Sequence, residues 1–295
     1  TDNLETLENK VRLATILGTF QATLTDFKYI RKIWKDNTEE ERLLGVSLTG
    51  ILDNQLMSGK SAMFGMNIKT TLQTLKDKAI ETNEKMSKAL GIPQAAAITC
   101  VKPSGTVSQL VDSASGIHAR HNPYYIRTVR GDNKDPLTQF MIAQGIPAEP
   151  DVMKPDSTTV FSFPMQSPAG AVCRTDMTAI EQLELWLMYQ RHWCEHKPSV
   201  TISVKEEEWM DVGSWVYKHF DEVSGISFLP FSEHTYQQAP YQDITSIEYD
   251  EAKIKMPEKI DWSLLSEFEK EDTTSGGREL ACTAGVCEVV DLTAA

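Results

Sequence analysis

Ala97-Ile98-Thr99-Cys100-Val101-Lys102-Pro103-Ser104-Gly105-Thr106-Val107-Ser108-Gln109-Leu110 reads as a short apolar strand, a Pro-Ser-Gly-Thr turn and the start of an amphipathic helix. Pro103 has no N–H to give to a sheet ladder, so the strand stops there. Ser104 or Thr106 can cap the helix that follows, and Gly105 lets the backbone come close to whatever lies above it. The unpaired N–H groups of a first helical turn, at the positive end of the dipole, suit an anion such as a phosphate. The Ser104 and Thr106 hydroxyls add donors, and Lys102 adds charge. Taken alone, the tetrapeptide reads more readily as an ordinary capped helix, because short Gly/Ser/Thr turns are common.

Upstream of this stretch, Leu4, Leu7, Val11, Ala14, Leu17 and Leu24 recur at helical spacing and predict a helix over residues 3–24. A second helix is expected from Phe27 to Trp34, and a buried strand from Leu43 to Ile51. Residues 66–90 form a long helix stopped by Gly91 and Pro93. Downstream, Ser115 to Pro123 is a polar loop and Tyr124 to Arg130 alternates as a strand does. Asp135-Pro136 opens a helix to Ala143. Thr159 to Pro164 is a strand, residues 178–194 a helix, Pro198 to Val204 a strand, residues 205–219 a helix and Gly225 to Pro230 a strand. This order points to an α/β fold with a mainly parallel sheet and ligand sites at the carboxyl ends of its strands. Lys102 to Thr106 and Leu229-Pro230-Phe231 occupy such ends. From Tyr249 the composition turns to Lys, Glu and Asp, followed by Asp272-Thr273-Thr274-Ser275-Gly276-Gly277. The expected organisation is a body over 1–248 and a mobile tail over 249–295.

The 295 residues are 41% hydrophobic and 24% charged, enough for one large core or two smaller ones. A net charge of −13 is unsuited to nucleic acid or an anionic membrane surface, so neither partner is expected. Any phosphate must be held by local geometry. No apolar run reaches the length of a membrane span, and no signal-peptide pattern opens the sequence. Five cysteines, an odd number, do not form a disulfide framework and point to a reducing, cytoplasmic compartment. The sequence begins with Thr1, as a processed product, a fragment or a spliced piece of a longer polypeptide would. It has no GxSxG elbow, P-loop or dinucleotide fingerprint.

The tail ends in Cys282-Thr283-Ala284-Gly285-Val286-Cys287. Such a pair can close a small disulfide loop or supply two metal ligands. A zinc site needs four, and no second pair lies nearby, so no metal is expected. The better reading is a redox shuttle, a dithiol that reduces a disulfide elsewhere and is itself reduced by an outside dithiol protein. Cys100, Cys173 and Cys194 lie in or near strand and helix segments and read as small buried hydrophobes. His192 and His196 are spaced i, i+4 with no zinc motif around them, and read as surface or packed side chains.

Gly45-Val46-Ser47-Leu48-Thr49-Gly50, Val101 to Val107, Ser115-Gly116-Ile117-His118, Tyr124-Tyr125-Ile126-Arg127, Ser199-Val200-Thr201-Ile202, Ile226 to Pro230, Tyr236 to Tyr241 and the cysteine pair follow in order across nearly the whole chain. In these segments the chain resembles the C-terminal half of an adenosylcobalamin-dependent (class II) ribonucleotide reductase. The resemblance implies the second half of a ten-stranded α/β barrel, with a flexible C-terminal tail. It implies radical reduction of ribonucleotides to deoxyribonucleotides for DNA synthesis, with adenosylcobalamin as cofactor. It implies that Ser104, Gly105, Thr106 and Val107 hold the substrate's phosphates, of a di- or a triphosphate. It implies too that Cys282 and Cys287 re-reduce the active-site disulfide and are restored by a thioredoxin-like protein.

The family's Asn-Pro-Cys finger loop, its nearby Glu and the cysteines that reduce the ribose are absent from the sequence. An N-terminal half of the same reductase is therefore the expected partner, without which the chain is expected to be inactive. The alternatives are a reductase-like barrel of another radical-generating class and a non-catalytic nucleotide-binding fragment. The Cys282/Cys287 tail speaks against a formate-driven enzyme, and an unpaired sheet edge against a free-standing module.

Overall fold

The computed structural model describes residues 2–60, 67–105, 107–231 and 236–270. In chain order the elements are α1 (Leu4–Gln21), α2 (Lys32–Glu41), β1 (Val46–Ser47), α3 (Ile68–Leu90), β2 (Thr99–Cys100), α4 (Val107–Leu110), β3 (Tyr124–Asp132), α5 (Pro136–Ala143), β4 (Ala148–Pro150), β5 (Thr158–Gln166), α6 (Ala179–His192), β6 (Ser199–Val204), α7 (Trp209–Lys218), β7 (Gly225–Pro230), β8 (Tyr241–Asp243), α8 (Ser246–Ile254) and α9 (Leu265–Phe268). They fall into two units, residues 1–120 with 168–232 and residues 121–167 with 233–295. No described helix is long and apolar enough to cross a membrane.

In the first unit, capping sets where the helices begin. The Asn3 side chain accepts from the Thr6 N–H and the Thr6 hydroxyl accepts from the Asn3 N–H, which opens α1. The buried side chains of α1, Leu7, Val11, Thr15 and Thr19, lie on the helix that packs with α3. Asn83 of α3 is buried yet satisfied: its amide donates to the Thr19 hydroxyl at 3.0 Å and its oxygen accepts the Ala95 N–H at 3.0 Å. Gly91 ends α3 with a left-handed φ of 67°.

β1 and β2 pair in parallel, Val46 with Thr99 and Ser47 with Cys100. β6 and β7 pair in parallel over six residues, from Ser199–Gly225 to Val204–Pro230. A bond from the Ser199 N–H to the Val101 carbonyl, 2.9 Å long, ties the end of β2 to the start of β6. α6 buries Leu183, Trp186, Leu187 and Tyr189. Full burial of each such side chain contributes about 1.5–3 kcal/mol. The polar atoms of the aromatics are not wasted. Trp193 Nε1 donates to the Cys100 carbonyl at 2.7 Å and the Tyr189 hydroxyl donates to the Met57 carbonyl at 2.8 Å.

The second unit is built on an antiparallel four-stranded sheet in the order β4-β5-β3-β8. β3 and β5 pair over nine residues, from Tyr124–Gln166 to Asp132–Thr158. Asp135 caps α5 with Pro136 in its first turn. Trp262 and Phe268 pack on Phe140 of α5, with ring centroids 5.3 and 5.7 Å away.

Two expectations change. The sheet is not mainly parallel, because the longest strand pair is antiparallel. The alternation seen in Tyr124 to Arg130 is the mark of an antiparallel strand with one solvated face. The second helix covers Lys32–Glu41 rather than Phe27 to Trp34. Its end is fixed by Arg42, which donates to the Ala22 and Glu39 carbonyls, whereas Phe27, Tyr29 and Ile30 lack a core to face. The α/β class stands, and the described strands form sheets of two, four and two strands with no closed barrel among them. The Thr245–Glu248 capping box opens α8, so the acidic segment is helical as far as Ile254.

A Cβ built on Gly225 would lie 2.4 Å from the Pro198 carbonyl oxygen, a backbone atom that cannot swing aside. Gly225→Ala is expected to destabilise the chain by about 1–3 kcal/mol, as overpacking does. Urea unfolding would measure the loss, and an unchanged midpoint would disprove the packing account.

Candidate functional site

Pro103 ends the ladder after β2, and the next residues form the turn singled out in the sequence. The Ser104 N–H donates to the Ser115 hydroxyl oxygen at 2.7 Å. The Ser104 side chain accepts from the Ser108 N–H at 2.9 Å, and the Ser108 hydroxyl donates back to the Ser104 carbonyl at 2.6 Å. Ser104, one of the two caps the sequence offers, thus bonds the first turn of the helix, while Thr106, the other, lies outside the described residues. The helix itself, α4, is a single turn of four residues, so individual N–H groups rather than a helix dipole must carry any anion. Among the described residues the Gly105 and Val107 amides have no hydrogen-bond partner. A Cβ built on Gly105 meets nothing within 4 Å. Thr106, and Cys282 and Cys287 of the expected dithiol, lie outside the described residues.

The neighbouring segments converge on this turn. The Lys102 N–H donates to the Ser47 hydroxyl oxygen at 3.0 Å, which joins the end of β1 to the turn. The Lys102 ammonium, expected to add charge, is tied down at the start of β6 by the Lys197 carbonyl at 2.6 Å and the Ser199 hydroxyl at 3.0 Å. The Gly50 N–H and the Thr49 hydroxyl both donate to the Ala114 carbonyl, at 2.7 and 2.9 Å. Gly116 has a left-handed φ of 53°, and a Cβ there would lie 3.1 Å from the Lys102 carbonyl oxygen, so only glycine suits the position. A cleft of about 560 Å³ opens beside these segments, lined among others by Val46, Leu48, Thr49, Asp53, Val111 and Ser113.

Two charged residues that sequence reading passed over lie beneath. Arg120, 5% exposed, forks onto the Asp53 carboxylate with contacts of 2.8 and 2.9 Å. Arg120 lay inside a segment already read as polar, but nothing in the sequence marked Asp53 as its partner. The body cysteines match their expected role. Burial pushes the Cys100 thiol up, and burial with Cys100 nearby pushes Cys194 up to about 12. His196 donates its Nε2–H to the Leu44 carbonyl at 2.8 Å, as a packed histidine does.

His118 closes the loop. Its Nδ1–H donates to the Ser115 carbonyl at 2.8 Å and its Nε2 accepts the Thr201 N–H at 3.1 Å. That arrangement requires a neutral ring, and burial holds its pKa below the ordinary value. The unfolded chain therefore binds the proton more readily than the folded one. The contribution of His118 to stability is full above about pH 6.5 and is lost as the pH falls below it. His192, also lowered by burial, acts in the same direction. Stability measured by urea unfolding between about pH 8 and about pH 5 is expected to fall less in His118→Gln than in the unaltered chain. Parallel curves would refute the assignment of a neutral His118.

No family model matches the sequence. The adenosylcobalamin-dependent ribonucleoside-triphosphate reductase of Euglena gracilis is 30% identical over 96% of this chain and 41% of its own length. The enzyme of that name from Lactobacillus delbrueckii subsp. bulgaricus is 25% identical over 88% of this chain and 38% of its own length. A crystal structure of a B12-dependent (class II) ribonucleotide reductase superposes with a TM-score of 0.75, covering 87% of this chain and 39% of that one at 22% identity. In sequence and in fold, the chain is a relative of the adenosylcobalamin-dependent, class II ribonucleotide reductases over about two fifths of their length.

Proposed function

We propose that this chain is the part of an adenosylcobalamin-dependent ribonucleotide reductase that holds the substrate's phosphates and carries the reducing thiols. The observation that carries this reading is the Ser104–Val107 turn. Among the described residues its Gly105 and Val107 amides have no hydrogen-bond partner, and a Cβ on Gly105 would meet nothing within 4 Å. In this reading the turn binds the phosphates of a ribonucleoside triphosphate, the substrate in the relatives' names. Adenosylcobalamin supplies the radical when bound.

The Cys282/Cys287 dithiol gives two electrons and two protons to a disulfide formed in turnover and becomes a disulfide itself. A thioredoxin-like dithiol then reduces it. A reducing cytoplasm suits that cycle. The radical-bearing and ribose-reducing cysteines would come from an N-terminal half, so the chain alone is inactive. Leu13, Leu17 and Leu24 near α1 and Ile33 and Trp34 in α2 are half or more exposed, an apolar surface that suits such a partner.

Gly105→Val is expected to weaken nucleotide binding by about tenfold or more while leaving the unfolding midpoint in place. Calorimetric titration with CTP would test it, and equal affinity in the variant would remove the turn from the site. In the complete enzyme, Cys282→Ser and Cys287→Ser are each expected to allow one turnover and to stop thioredoxin-driven turnover. Sustained turnover in either variant would exclude the shuttle.

A further inference from the structure

We propose that the buried Asp53–Arg120 ion pair is the positioning device of the phosphate-binding turn, an inference that rests on the proposed phosphate site. Arg120 and Asp53 are 5% and 13% exposed. A buried pair of this kind is a poor source of stability, since apolar side chains of equal volume serve as well. Its distinctive property is geometry, because a guanidinium fork and a carboxylate fix one another in a plane.

The bonds radiating from the pair lead to the turn. Asp53 Oδ2 accepts both Arg120 Nη2 at 2.9 Å and the Ala114 N–H at 2.7 Å. Arg120 also donates to Asp112, from Nη2 to its carbonyl at 2.7 Å and from Nη1 to its carboxylate at 3.1 Å. Asp112 stands at a left-handed φ of 46°, where the chain leaves α4 and reverses. Arg120 therefore clamps the reversal and Asp53 clamps the residue two beyond it. The next residue, Ser115, receives the Ser104 N–H on its hydroxyl oxygen. The pair sets Ser115, Ser115 sets Ser104, and Ser104 caps α4 so that the Gly105 and Val107 amides stay open. Neither charged group needs to touch the phosphate.

The experiment compares the unaltered chain with Asp53→Asn, Arg120→Lys and a core control, Leu75→Ala, whose site is fully buried in α3. Two quantities are read on each: CTP affinity by calorimetry, and amide exchange at Ser104 and Ala114 by mass spectrometry. The pair variants are expected to speed exchange at Ser104 and Ala114 and to weaken CTP binding by about tenfold or more, as a misplaced binding group does. Leu75→Ala is expected to lower the unfolding midpoint and leave CTP affinity unchanged, which separates positioning from lost stability. CTP binding by the unaltered chain, with equal affinity in both pair variants, overturns the positioning role alone. Equal loss in Leu75→Ala overturns it too, by reducing it to a stability effect. No CTP binding by the unaltered chain overturns the phosphate site and the positioning role together.

Discussion

Neutral backbone N–H groups must do the work of the proposed anion site, because the field around it is unfavourable. The chain carries a net charge of −13, and the cation nearest in sequence, Lys102, spends its donors on Lys197 and Ser199. Amides bind a phosphate where neither a sheet ladder nor an intrahelical bond takes them up. Pro103 supplies the first condition by ending β2, and the place of Gly105 and Val107 at the opening of α4 supplies the second. What remains is a short loop whose shape must be imposed from outside. The Ser115 hydroxyl, the Asp53 carboxylate and the Arg120 guanidinium impose it.

The rest of the first unit holds the base of that loop still. The carbonyls at the end of β2 are taken up one by one: Thr99 by the Glu195 and His196 N–H groups, Cys100 by Trp193 Nε1, and Val101 by the Ser199 N–H. These bonds reach from α6 and β6 across the buried Trp186, Tyr189 and Trp193. The strand end is therefore pinned by three backbone N–H groups and the Trp193 indole, beside close-packed buried aromatics where a shift of one group is felt by many. His118 joins the same frame from the other side, bonded to Ser115 and to Thr201 of β6.

Much of this was legible in the sequence because it is written in local chemistry. Pro103, Ser104 and Gly105 announce a strand stop, a cap and an open approach, and Gly91 announces the end of α3. Asp135-Pro136 announces the start of α5. The parts that were not legible depend on partners far away in the chain. Nothing local tells Asp53 that Arg120 will face it, or Lys102 that its charge will be bound at β6. Strand direction was misjudged for a related reason: short apolar runs look alike in parallel and antiparallel sheets, and only the alternation in β3 carried the difference. The start of α8 is also local: Thr245 and Glu248 cap it in the manner of α1 and α6, although charge dominates the composition there.

The cysteines divide by environment. Thiol–disulfide exchange proceeds through the thiolate, so a thiol's usefulness falls with every unit by which its pKa exceeds the ambient pH. Cys194, pushed up to about 12, stays protonated at neutral pH. Cys100 is raised by the same burial, and Cys173 is buried as well. Their place is in the packing of α6 and β2 and beside Arg120, where a small soft side chain fits and a reactive one would be a liability. In the proposed reading, exchange chemistry would belong to the Cys282/Cys287 pair rather than to these three packed thiols.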